Sequence, residues 1–305
     1  MRIRELIQQK ERLVLSAACI IAAVIWIWAF LPRPPALKVT VLSVGQGDSI
    51  VIESPSGRTV LVDCGPGPNA KSDFDAGAKV VTPFLRREGI NKLDMLILTH
   101  PHEDHIGGAL SIVRNFAVDR VIDPAAVHPS GIYRDLLEEI EKKGIPYSRV
   151  RRGQMIDLRD GVTLEALNPS GNAPEADGDD GMNNTSLVLR VKYKGAAILL
   201  MGDAEREAEE EMLAECGDVS AQVIKIGHHG SARATSAAWL GAVHPRYAIV
   251  SVGRRNPFGH PSVKTVSQLQ DAGVEVYRTD QNGGITVITD GKRISIETSR
   301  EQFSQ

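Results

Sequence analysis

From Leu37 onward the chain alternates short runs of aliphatic and β-branched residues with stretches whose apolar positions recur at helical spacing. The first runs predict strands over Lys38–Val44, Ser49–Glu53 and Thr59–Val62, separated by Gly and Pro turns. A helix is predicted around Ala78–Glu88, followed by an apolar strand, Met95–Leu98, that runs straight into a histidine cluster. An amphipathic helix over Tyr133–Lys143 and strands near Tyr147–Val150 and Val162–Leu167 complete the first half, and a polar loop, Pro169–Gly181, separates it from the second.

The second half repeats the style. Strands are predicted over Ser186–Lys192, Ala196–Leu200, Gln222–Ile226 and Tyr247–Ser251, with helices over Glu205–Glu215, Ser236–Ala242 and Val263–Ala272. Strands over Val274–Tyr277, Gly284–Thr289 and Ile294–Thr298 close the chain. Two sheets, each with helices on its outer face, are the natural packing for this order.

One stretch breaks the pattern. Leu13–Leu31 is nineteen residues without a charge, which matches the roughly 30 Å core of a bilayer. Arg2, Arg4, Lys10 and Arg12 precede it, and Trp26 and Trp28 lie near its far end. This predicts a transmembrane anchor over 13–31, with a cytoplasmic segment 1–12, a linker 32–37, an extracellular domain 38–300 and a tail 301–305. A cleaved signal peptide or a buried apolar helix are the alternatives.

Composition changes the picture little. The 305 residues are 42% hydrophobic and 24% charged, as in ordinary globular proteins. Net charge is −3, and about −6 once the five basic and two acidic residues of the first 37 are set aside, so a generally cationic polyanion binder is excluded. Three cysteines, Cys19, Cys64 and Cys216, form neither a disulfide framework nor a zinc spacing.

The chemistry concentrates at strand ends. Thr99-His100-Pro101-His102-Glu103-Asp104-His105-Ile106-Gly107-Gly108 places four ligand-type side chains in six positions. A tight loop of this kind aims His100 and His102 at one cation and Asp104 and His105 at a neighbour, and imidazole with carboxylate suits zinc, manganese or iron. Pro101 stiffens the turn, and Gly107 and Gly108 let backbone pass close behind the site.

A shared carboxylate is expected from Asp203 in Met201-Gly202-Asp203-Ala204-Glu205, where a helix cap is the competing role. Gly227-His228-His229-Gly230-Ser231 offers one further ligand, His229, and one proton donor, His228. His260 in Phe258-Gly259-His260-Pro261 is a ligand or a substrate contact, ranked after His229. Asp104, Asp203 and His228 are thus the catalytic candidates, and Asn184, Ser231, Arg233 and His260 the substrate contacts. Arg254 and Arg255 are either phosphate-holding or solvated.

These residues resemble the metallo-β-lactamase superfamily, and within it the hydrolase domain of ComEC-type DNA-uptake proteins. The resemblance spans about Leu37–Thr298 and rests on V-G-Q-G-D-S from Val44, V-D-C-G from Val62, the histidine motif, N-N-T-S-L-V-L from Asn183, M-G-D-A-E, G-H-H-G-S and G-H-P. It implies a four-layer αβ/βα sandwich and a two-metal centre holding zinc or manganese. It also implies phosphodiester hydrolysis by a metal-activated water, with extracellular DNA as the substrate and Asp63 orienting a metal histidine from behind.

Two departures matter. Many superfamily members carry a histidine where this chain has Asn183 and Asn184, which implies a weaker first metal site held by His100, His102 and Asp203. The multispanning channel that accompanies the ComEC domain is missing, so an uptake role would place this chain beside a separate channel. A hydrolase of a small ester, lactone, β-lactam or cell-wall phosphoester, and a noncatalytic subunit of an uptake complex, remain as alternatives.

Overall fold

The computed structural model describes residues 15–23, 26, 35–69, 72–124, 129–171 and 178–299. The chain divides into two compact units at Pro35/Ala36. In the first unit, residues 15–23 and 26 are helical and exposed. Among the described residues no helix is long and apolar enough to cross a membrane. That finding overturns the expected single-pass anchor, and with it the expected cytoplasmic N-terminus and extracellular domain. The rest of the 13–31 run, the 1–12 segment and the 301–305 tail lie outside the described residues.

The second unit is built on two sheets. Its first half supplies β1 (Leu37–Val41), β2 (Ile50–Glu53), β3 (Thr59–Val62), β4 (Lys92–Leu93), β5 (Met95–Ile97), β6 (Ala117–Val118), β7 (Val121–Asp123) and β8 (Tyr147–Arg149). Its second half supplies β9 (Met155–Asp157), β10 (Val162–Asn168), β11 (Val188–Tyr193), β12 (Ala196–Leu200), β13 (Val223–Lys225), β14 (Tyr247–Val250) and β15 (Glu275–Arg278). β16 (Ile285–Thr289) and β17 (Ile294–Thr298) then return to the first sheet, whose order is β17-β16-β1-β2-β3-β5-β7-β8. The second sheet runs β15-β14-β13-β12-β11-β10-β9, and β4 pairs with β6 separately.

Strand alternation explains the layers. Ile50, Ile52, Val60, Val62 and Ile97 face inward, where they meet Leu189, Val191, Ile198, Leu200 and Val223 of the second sheet. Their neighbours Val51, Leu61, Leu96 and Leu98 face the other way and pack under the helices Thr82–Arg87, Ala109–Asn115 and Gly131–Lys142. Leu199, Ile224, Ala248 and Val250 do the same under Arg206–Glu215, Ala237–Val243 and Val263–Asp271. A strand buried on both faces reads as an unbroken apolar run, and these central strands do so. The result is an αβ/βα sandwich, as expected.

The two sheets share a plan that fixes the site. In each, an antiparallel group gives way to parallel strands: β3, β5 and β7 in the first, β12, β13 and β14 in the second. Parallel strands bring their carboxyl ends to one edge, and ligands gather at such edges. Asp63 follows β3 as Asp203 follows β12, and the first histidine motif follows β5 as His228-His229 follows β13.

Several short elements differ from expectation. β7 and β9 carry no long apolar pattern and were not predicted. Residues 178–184 form a helix rather than the end of a loop, with Met182 buried as its apolar anchor.

Candidate metal centre

Asp63 sits at the carboxyl end of β3 with φ 58°, a left-handed conformation that aspartate tolerates better than most residues. Its Oδ1 accepts from the Thr99 amide at 2.8 Å, and its Oδ2 accepts from the Thr99 hydroxyl at 2.7 Å and contacts His105 Nδ1 at 2.7 Å. A carboxylate on Nδ1 fixes the proton there and leaves Nε2 as the outward electron pair. His229 is fixed likewise, its Nδ1 2.9 Å from the Ser251 carbonyl oxygen. Two rings from different sheets therefore present their Nε2 atoms to one point.

Asp104, His105, Asp203 and His229 meet there, with one ligand atom from each lying within 4.8 Å of the others. His105 Nε2 is 3.1 Å from Asp203 Oδ1, and His229 Nε2 is 3.1 Å from Asp104 Oδ2 and 3.5 Å from Asp203 Oδ2. His100 packs against this group, its ring 4.2 Å from that of His105 and 4.6 Å from that of His102. Among the described residues the buried Nε2 of His100 has no hydrogen-bond partner, and the buried Nε2 of His105 and Oδ1 of Asp203 have only each other, at 3.1 Å. Buried polar atoms are almost always paired, so ligand-type atoms gathered here with no partner, or only one another, fit divalent cations.

The close packing of these groups also shifts their protonation equilibria. Burial alone would strip the proton from His105, but the carboxylates of Asp203, Asp63 and Asp104 outweigh it and hold its pKa well above the ordinary range. Burial would raise Asp203, yet His105 and His229 hold it well below the usual carboxylate range. His100 is pushed well down by burial and by the His105 ring.

Gly107 and Gly108 serve the close approach expected of them. A Cβ on Gly107 would fall 2.0 Å from the Gly67 nitrogen, and one on Gly108 2.4 Å from the Cys64 carbonyl oxygen. Asp203 is not a helix cap, because the helix it precedes is capped at Glu205.

The remaining candidates divide. His228 lies at the rim, its Nδ1 2.7 Å from Glu205 Oε1 and its Nε2 3.8 Å from Asp203 Oδ2. Fully buried Glu205 also ion-pairs with Arg233, whose Nε is 3.0 Å from Oε2. His260 stands outside the four-residue cluster, 5.5 Å from the His228 ring, and burial with the nearby His228 and His229 pushes its pKa down to about 4. Asn184 is turned away: its Oδ1 accepts from the Glu205 amide and its Nδ2 donates to Glu207. Asn183 is the asparagine beside His228, at 3.4 Å. Ser231 is buried, with its hydroxyl accepting from the Arg233 amide at 3.3 Å.

Two buried residues escaped the sequence reading. Lys225, 1% exposed, donates to Asp48 Oδ2 and, at 3.0 Å, to the Gly202 carbonyl. Asp48 in turn lies behind both oriented rings, 4.0 Å from His105 Nδ1 and 3.6 Å from His229 Nδ1. A lysine inside the apolar run Val223-Ile224-Lys225-Ile226 is the signal that would have found Lys225.

Comparison with known proteins is consistent with this geometry. The chain is 35% identical over 257 residues to ComE operon protein 3 of Bacillus subtilis, covering 81% of this chain and 32% of that protein. It is 32% identical over 259 residues to competence protein ComA of Neisseria gonorrhoeae, covering 83% and 33%. It thus spans about a third of the length of these relatives. Among solved structures, the diiron β-hydroxylase CmlA of Streptomyces venezuelae shares the fold, with TM-score 0.51, 16% identity and coverage of 84% of this chain and 55% of that one. Residues 42–254 match the metallo-beta-lactamase superfamily model, and the chain belongs to that superfamily of metal-dependent hydrolases.

Proposed function

We propose that this chain is a metal-dependent phosphodiesterase that cuts nucleic acid, DNA first among them. The observation that carries the reading is the convergence of Asp104, His105, Asp203 and His229, whose ligand atoms lie within 4.8 Å of one another. In this reading those four hold one cation, and His100, His102 and Asp203 hold a second, more weakly, with Asp203 shared. A divalent pair in such a site, when bound, polarises a phosphoryl oxygen and lowers the pKa of water to about 7.

The chain's own residues do the rest. Asp63 and the Ser251 carbonyl lock the two imidazoles in the orientation that ligation needs. His228, held through Nδ1 by Glu205, faces the mouth of the site and is placed to pass a proton to a leaving oxygen. Arg233, with the exposed Arg254 and Arg255, supplies positive charge for the flanking phosphates of a strand. The choice of nucleic acid over other phosphoesters draws on this local charge in an acidic chain and on a relative that is named as a competence protein.

The test is cleavage of labelled single- and double-stranded DNA by the full chain with added manganese or zinc, with Asp203→Ala alongside. Metal-dependent cleavage that falls to background in the variant, with DNA binding retained, is the expected result. A parent that carries metal and cuts neither strand form would overturn the nuclease reading.

A further inference from the structure

The loop between β14 and the helix Val263–Asp271 carries an aromatic that the metal chemistry leaves unused. Phe258 is 65% exposed, and among the described residues of the second unit it is the one exposed phenylalanine or tryptophan. An exposed aromatic ring gains nothing from burial in the fold, and its position is held rather than incidental. The Asn256 side chain closes the loop, donating to the Gly253 carbonyl at 3.0 Å and the His260 carbonyl at 2.7 Å and accepting from the His260 amide at 3.0 Å.

Phe258 stacks on His260, with ring centres 5.8 Å apart and planes 27° from parallel. The His260 ring meets that of His228 edge-on at 5.5 Å, and His228 Nε2 lies 3.8 Å from Asp203 Oδ2. Aromatic rings therefore step down from solvent to the metal centre. One face of Phe258 is turned to His260, so its exposure lies on the rest of the ring. Arg254 and Arg255, on the same loop, are exposed.

We infer that Phe258, backed by His260, is a stacking platform for a nucleobase of the substrate strand close to the scissile phosphate, so that the strand enters unpaired. Every base has a π-face, and stacking on an aromatic next to cationic side chains is how proteins hold single strands without reading their sequence. A base inside a duplex already stacks on its neighbours and is not free to use the platform. A neutral glycan would stack on the ring as well, but it has no use for the flanking arginines. The inference rests on the phosphodiesterase reading for the bond cut, while the platform itself is tested without cleavage.

The experiment uses the full chain in chelator with a single-stranded oligonucleotide carrying 2-aminopurine, whose fluorescence falls when the base stacks. The parent quenches it. Phe258→Ala binds roughly 5- to 150-fold more weakly and loses the quenching, while Phe258→Trp restores both. A strand with an abasic residue at the contacted position binds parent and Phe258→Ala alike. With metal, the alanine variant raises KM for single strands and leaves kcat near the parent value. Equal affinity of parent and Phe258→Ala, or equal affinity for base and abasic strands, overturns the platform. Quenching by a parent that cuts no DNA would keep the platform and remove the nuclease reading, so the two failures are distinct.

Discussion

Replacing Lys225 by Met tests the buried charge pair beneath the centre. Lys225 and Asp48 are each 1% exposed, and the ammonium also donates to the Gly202 carbonyl. Methionine matches the stem of lysine in length and fills its space, so packing is nearly conserved. What remains is the Asp48 carboxylate, shut away from water with its ammonium partner gone and the His105 and His229 rings as its nearest neighbours, at 4.0 and 3.6 Å. Breaking a buried pair from one side costs about 3–5 kcal/mol, mostly as the penalty of the stranded charge. Against a typical domain stability of about 5–15 kcal/mol, that brings the fold close to its limit. Asp48→Asn alone strands the ammonium and costs a similar amount. The double variant removes both charges and is expected to lose less than the sum of the singles by at least about 2 kcal/mol. Urea unfolding of the four proteins in chelator, followed by tryptophan fluorescence, gives the cycle. Additive losses, or a Lys225→Met cost under about 1 kcal/mol, would refute the claim that the two charges compensate each other.

Other outcomes follow from the same contacts. Asp63→Asn keeps a hydrogen-bond acceptor for Thr99 but removes the charge behind His105, and metal affinity measured by chelator competition should fall about 10- to 100-fold. Metal added at 100 times its Kd should stabilise the parent by about 2.7 kcal/mol, a rise in thermal midpoint that is absent in Asp203→Ala. His260 has a folded pKa of about 4, below its ordinary 6.5. Its contribution to stability is therefore full above 6.5 and lost as pH falls from 6.5 through 4, and in chelator His260→Gln should flatten that part of the stability–pH curve.

What the sequence made legible was whatever lies close together along the chain or repeats with a short period. The β-branched runs gave most long strands because their burial on both faces leaves an apolar string, and the His100–His105 motif is contiguous. Asp203 and His229 were found because each directly follows a predicted strand, where parallel sheets deliver their functional residues. The Asp48–Lys225 pair joins residues 177 positions apart, and no local pattern links them. Glu205 reads locally as an ordinary acid at a helix start, and only the fold shows it buried between His228 and Arg233. Two adjacent asparagines look alike in sequence, whereas the helix over 178–184 turns Asn183 to His228 and Asn184 to Glu205. The uncharged N-terminal run shows the opposite error. Hydropathy alone suggested a membrane span, yet the described residues contain no helix long and apolar enough to make one.

The most direct test of the account is a calorimetric titration of metal-free full-length parent and Asp203→Ala with manganese and with zinc. Two binding steps in the parent, one tight and one weak, with both lost or strongly weakened in the variant, are predicted from a carboxylate shared between the two ligand groups. A parent that takes up no metal, or a variant that binds as the parent does, would contradict it.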